Sequence, residues 1–77
     1  MSVIVDDSFI RLSGRCLADD AEALLQALAE NPGRTVEVGG AQKLHLAVVQ
    51  VLLIAGPVIE GMPDNPFLAQ HVLKLLQ

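Results

Sequence analysis

Residues 44–56 read LHLAVVQVLLIAG, and only His45 and Gln50 interrupt the apolar run. The run falls short of the roughly 20 residues that a membrane span needs. It is also too apolar for an ordinary surface helix, whose outer face is polar. Its length predicts a helix, which Gly56-Pro57 ends. A chain of 77 residues makes one domain and not two. A domain of that size buries only about 60 % of its unfolded surface. Yet 52 % of the residues are hydrophobic, with two Phe and no Trp or Tyr. The core must therefore come from Leu, Val, Ile and Ala. Some of this apolar load is expected to stay on the surface, where a contiguous patch marks a partner site.

The rest of the chain is punctuated clearly. Val3 to Val5 and Phe9 to Leu12 read as strands, with Asp6-Asp7-Ser8 as a hairpin turn and Ser13-Gly14 closing the second strand. Asp19 is in capping-box spacing with Glu22. Ala21, Leu24, Leu25 and Leu28 follow as one helical stripe, and Asn31-Pro32-Gly33 stops that helix. Thr35 to Val38 reads as a strand closed by Gly39-Gly40. After the apolar helix, Val58-Ile59 is a short strand. Asn65 caps a last helix with Pro66 at its first position, and Phe67, Leu68, Val72, Leu75 and Leu76 form its apolar face. The predicted fold is α/β, a small mixed and mostly parallel sheet with three helices in the order β-β-α-β-α-β-α. Only the first strand should run antiparallel to its neighbour.

At about 100° per residue, Val49, Leu52, Leu53 and Gly56 share one side of the apolar helix and can cover the sheet. His45 and Val48 flank that side. Ala47, Gln50, Val51 and Ile54 fall roughly opposite, with Leu46 at the border. The outward side thus carries a single polar residue, Gln50. Either the last helix or the chain end folds over it, or a partner chain, identical or different, covers it.

Two stretches, FIRLSGRCLADDAEALLQAL and TVEVGGAQKLHLAVVQVLLIAG, together with the order of elements, resemble STAS domains. That is the fold of anti-sigma factor antagonists and of the cytoplasmic tails of sulfate transporters. The likeness covers about residues 3–60. Members carry an Asp-Ser-Ser/Thr-Gly motif at the start of the second helix, and a partner kinase phosphorylates its first Ser. Here His45 stands for the Asp, Leu46 for that Ser, Ala47 for the next hydroxyl residue and Val48 for the Gly. No hydroxyl remains, so the phosphorylation switch is not expected at this site. The chain is also shorter than a typical member, and a sheet edge or helix face is expected to be left uncovered. The resemblance implies a bacterial binding module that docks a regulatory protein through the start and outer face of the second helix. The partner-binding residues would be His45, Leu46, Ala47, Gln50, Val51 and Ile54. A histidine kinase, an anti-sigma factor or a chemotaxis component would be the partner. A homodimeric structural unit and a small-ligand or nucleotide binder are the alternatives.

Composition narrows the partners further. Net charge is -4, and the five basic residues, Arg11, Arg15, Arg34, Lys43 and Lys74, are scattered along the chain. With no basic stripe and no Trp or Tyr platform, nucleic acid is not an expected partner. Membrane insertion is not expected either. A single cysteine, Cys16, cannot form an internal disulfide, and the start MSVIVDDSF lacks the pattern of a signal peptide, so a cytoplasmic home is expected.

No convergent catalytic set is visible, and no enzyme, cofactor or metal site is expected. His45 has no carboxylate at helical spacing and only Lys43 as a near cation. It reads as a partly buried histidine hydrogen-bonded to the loop, with partner contact as the sharper alternative. Cys16 reads as a small core residue without a base beside it, and His71 as a solvent-facing or edge residue. Gly39-Gly40 is far weaker than a phosphate-loop fingerprint and reads as a strand end. Asp6, Asp7, Asp19 and Asp20 lie in turns and caps.

Overall fold

The computed structural model of the protein describes residues 2–63 and 65–76, and of Leu73 the backbone only. Its first turn is organised by Asp6. One carboxylate oxygen accepts the backbone N–H groups of Ser8 at 3.0 Å and Phe9 at 2.7 Å. The other accepts Arg11 Nε at 2.7 Å. This local hydrogen bonding is the reason Asp favours turns. It sets the register of strands β1 (Val3–Val5) and β2 (Phe9–Cys16), which pair antiparallel with Val3 opposite Leu12 and Val5 opposite Ile10. The Arg34 guanidinium donates to the Asp6 carbonyl and ties a distant loop to the same turn.

β2 and β3 (Thr35–Leu44) run past the glycines that were expected to end them. They pair in parallel as far as Cys16 opposite Leu44, with register shifts between Arg11 and Ser13 and between Gly14 and Arg15. Gly14, at φ 68°, and the Gly40 opposite Ser13 lie within this irregular stretch. Glycine inside a strand commonly marks such a bulge rather than a stop. β4 (Ile59–Glu60) pairs in parallel with β3, one residue later than Val58-Ile59 predicts.

The sheet order is β1-β2-β3-β4, parallel except for β1. The α/β architecture and element order are those the sequence predicts. Helix α1 (Ala18–Glu30) connects β2 to β3, and α2 (Leu46–Ala55) connects β3 to β4. Both crossovers step the same way across the sheet, so right-handed connections lay both helices on one face, where they pack together. Ile10, Leu12, Val36 and Val38 form the floor of the core, and Leu24, Val48 and Leu52 close it. On the opposite face Ile4, Arg11, Ser13 and Glu60 are exposed, and Arg11 lies over the Phe9 ring at 5.7 Å.

Two helix details depart from expectation. The N-cap of α1 is Leu17 rather than Asp19, because β2 continues to Cys16 and leaves no room for a longer loop. Asp20 still accepts the Leu17 backbone N–H at 2.7 Å, supplying the carboxylate half of a capping box. The buried line of α1 centres on Leu24, so Ala27 is inside and Leu25 is exposed. The last helical segment is π-helical over Leu68–Val72 and continues as α3 (Leu73–Leu76). Asn65 accepts the Phe67 N–H at 2.9 Å, as its predicted capping role requires. Leu68 is buried, Leu76 packs against the core, and the segment touches α2.

The backbone N–H bonds from Phe9 and Ser8, then Arg11, hold the Asp6 carboxyl below its ordinary range. A depressed folded-state value stabilises above the unfolded value of about 3.9 and is lost as pH falls through the folded value. Asp6→Asn is therefore expected to be less stable than wild type at neutral pH, with the gap closing below about pH 4. Urea unfolding at a series of pH values would show it, and a pH-independent gap would contradict it. Gly61 has φ 94°, and a Cβ there would meet the Glu37 carboxylate and lie 2.7 Å from the Gly39 nitrogen. Gly61→Ala should cost roughly 1–3 kcal/mol in the same assay.

Candidate functional site

Helix α2 begins where the long parallel pair ends. The His45 N–H donates to the Cys16 carbonyl at 2.8 Å, so the helix start is bonded to the end of β2. His45 is the N-cap, and its Nδ1 accepts the Ala47 N–H at 3.0 Å. An accepting Nδ1 carries no proton, so the ring proton lies on Nε2. His45 is exposed rather than partly buried, because its ring turns along the helix start to cap it in place of the usual Ser, Thr, Asp or Asn. At the other end Gly56 takes the left-handed conformation and its N–H donates to the Leu52 carbonyl at 2.9 Å.

The buried side of α2 is Val48, Val49 and Leu52. Leu53, expected on the sheet side, is 50 % exposed. Val51, expected to point outward, is half-buried and packs against the core. The helix is rotated from the expected face because it is covered from two directions, by the sheet beneath and by its neighbouring helices. A wheel that counts only the sheet misplaces the flanks.

The residues expected to bind a partner therefore divide. Leu46 at 66 % and Ile54 at 85 % exposure stand out from the surface. Gln50 is exposed between them, and Leu53, which the sequence reading left out, joins them. Positions 46, 50, 53 and 54 follow helical spacing and form one continuous ridge. Ala47 is half-buried at its edge, and half-buried Val51 packs against the core. The last helix touches α2 without covering the ridge.

A cleft of about 570 Å³ opens at the carboxyl ends of β2 and β3. Arg15, Lys43 and Leu44 form one side, and Phe67, Leu68 and Val72 of the last helical segment the other. Sequence reading treated Arg15 and Lys43 as scattered. Their meeting depends on the strand register, which no local pattern shows.

Cys16 is fully buried, and burial first, then the Asp20 charge, pushes its thiol up. His71 is exposed with its ring 5.3 Å from that of Phe67. Among the described residues no group of three or more His, Cys, Asp or Glu could hold a metal ion. Comparison of the chain with protein-family models, with curated proteins and with solved structures finds no match.

A buried, poorly ionised thiol reacts only through opening of the fold. Under native conditions Cys16 should react with an aromatic disulfide reagent at least about a hundredfold more slowly than in the denatured chain. Comparable rates in the two states would show that the end of β2 opens freely.

Proposed function

We propose that the protein is a non-catalytic interaction module of STAS type that docks a regulatory protein on α2. The observation that carries this reading is the ridge of Leu46, Gln50, Leu53 and Ile54. Three large aliphatic side chains stand in water there, although the chain has helices that pack elsewhere. Full burial of each such side chain is worth about 1.5–3 kcal/mol. A partner that covered the ridge would recover that energy, and Gln50 would set its orientation through a hydrogen bond.

The resemblance to STAS domains supports the same surface, since members dock partners through the start and outer face of this helix. It also supplies the partner class, a bacterial kinase, anti-sigma factor or chemotaxis component in the cytoplasm. With His45, Leu46, Ala47 and Val48 at the motif positions, binding would not be switched by phosphorylation there. The acidic balance of the chain, -4 overall, fits a protein partner better than a polyanion.

The test is retention of partners from the native cell's lysate by wild type, Ile54→Glu and Val51→Glu used as parallel baits. Ile54→Glu should remain folded and weaken a specific partner by at least about thirtyfold. Val51→Glu should instead destabilise the fold by roughly 2 kcal/mol or more, because it drives a charge into the core. Equal retention by wild type and Ile54→Glu would sink the docking reading. A purified wild type that sediments as a dimer, with Ile54→Glu as a monomer, would give the ridge to a second copy of the chain.

A further inference from the structure

We propose that the cleft at the carboxyl ends of β2 and β3 binds a small amphipathic anion, an oxyanion head joined to a hydrocarbon body. Arg15 and Lys43 are partners in the parallel register, so two of the chain's five basic residues lie side by side on neighbouring strands. Both line the cleft, and no carboxylate is among its described lining residues. In a chain of net charge -4 this local reversal of sign favours an anionic group. An Arg fork offers paired N–H donors to a carboxylate or phosphate, and a Lys beside it adds a second charge.

The opposite wall has a different chemistry. Phe67, Leu68 and Val72 face the cations across the cleft, with Leu44 on the strand side. That wall is held in place by Asn65, whose side-chain amide donates to the Gln42 carbonyl at 3.0 Å while its oxygen caps the helix. The apolar wall is thereby tied directly to the strand that carries Lys43. A volume of about 570 Å³ lies within the range of small-molecule sites. A purely inorganic anion would leave the apolar wall wet, and a neutral hydrocarbon would leave the two cations unused. A molecule with both parts uses both walls.

The probes are decanoate and decyl phosphate, with decanol and inorganic phosphate as controls for the separate parts. Titration calorimetry on the intact chain should show saturable binding of one decanoate or decyl phosphate per chain. The two controls should bind on the order of tenfold more weakly or not at all. The double variant Arg15→Gln/Lys43→Gln removes two exposed charges and should lose on the order of tenfold in affinity with an unchanged circular dichroism spectrum. Phe67→Ala, at the exposed edge of the other wall, should weaken decanoate without creating a preference for decanol. Ile54→Glu should bind as wild type does, which separates this site from the helix ridge. The proposal is overturned if neither anion binds at millimolar concentration or if decanol binds as tightly as decanoate. It is equally overturned if the double variant binds undiminished or if Ile54→Glu is the variant that loses binding.

Discussion

The parallel pairing of β2 with β3 is the constraint on which the rest of the molecule depends. It extends from Phe9 opposite Thr35 to Cys16 opposite Leu44, well beyond the reach of β1 or β4. The glycine-containing irregularities in the middle let the two strands stay in contact while their register shifts. Because the pair persists, Cys16 can present its carbonyl to the N–H of His45, and α2 starts at a fixed point over the sheet. The same persistence sets Arg15 beside Lys43. A pair that ended at Gly14 and Gly39 would have left the helix start on a free loop and the two cations unrelated.

Placing both crossover helices on one face has a cost that a chain of this size cannot avoid. The core has a single layer of helices over the sheet, built of Leu, Val, Ile, Ala and Cys16 without large rings to thicken it. Side chains that reach the interior from α2 come from a broad arc, Val48, Val49, Val51 and Leu52. The helix is nonetheless apolar beyond that arc. Polar residues at Leu46, Leu53 and Ile54 would have satisfied the fold equally, since none of the three is buried. The packing of the single chain does not require their apolar character, and on the docking reading it is the partner that does.

Much of the architecture was legible because its boundaries are local. Asp6, Asn31-Pro32-Gly33, Gly56-Pro57 and Asn65-Pro66 each act through their own backbone or the next few residues, and their positions identify the turns and helix ends directly. The glycines of the two central strands were misleading because a glycine's role depends on the strand beside it, which a single segment does not reveal. The same limit explains the rotated face of α2. Periodicity alone shows that the helix has no polar side, but not whether its neighbours lie below it or beside it. Three of the four ridge residues, Leu46, Gln50 and Ile54, were legible in the sequence. Leu53 and Val51 exchanged roles because their sides are settled by contacts with other elements. The cleft was invisible for a stronger reason, since its walls come from residues 15, 42–44 and 65–72, and only the fold joins them.

The start of α2 shows how local chemistry limits regulation. A phosphorylation switch at a helix N-terminus needs a hydroxyl at or beside the cap, where added charge can bond the free N–H groups or repel a partner. Here the cap is an imidazole nitrogen that already accepts the Ala47 N–H, and the residues after it are Leu46, Ala47 and Val48. The helix start is therefore capped without a hydroxyl to phosphorylate. Leu46 begins the apolar ridge at the position where the resembling family carries its phosphoacceptor. If the resemblance holds, a permanently apolar contact stands where the family has a chargeable one. On the docking reading, control would then have to come from the partner's concentration or from another part of this surface. Among the described residues, the nearest feature with a different chemistry is the cationic cleft, two residues upstream of the cap at Lys43.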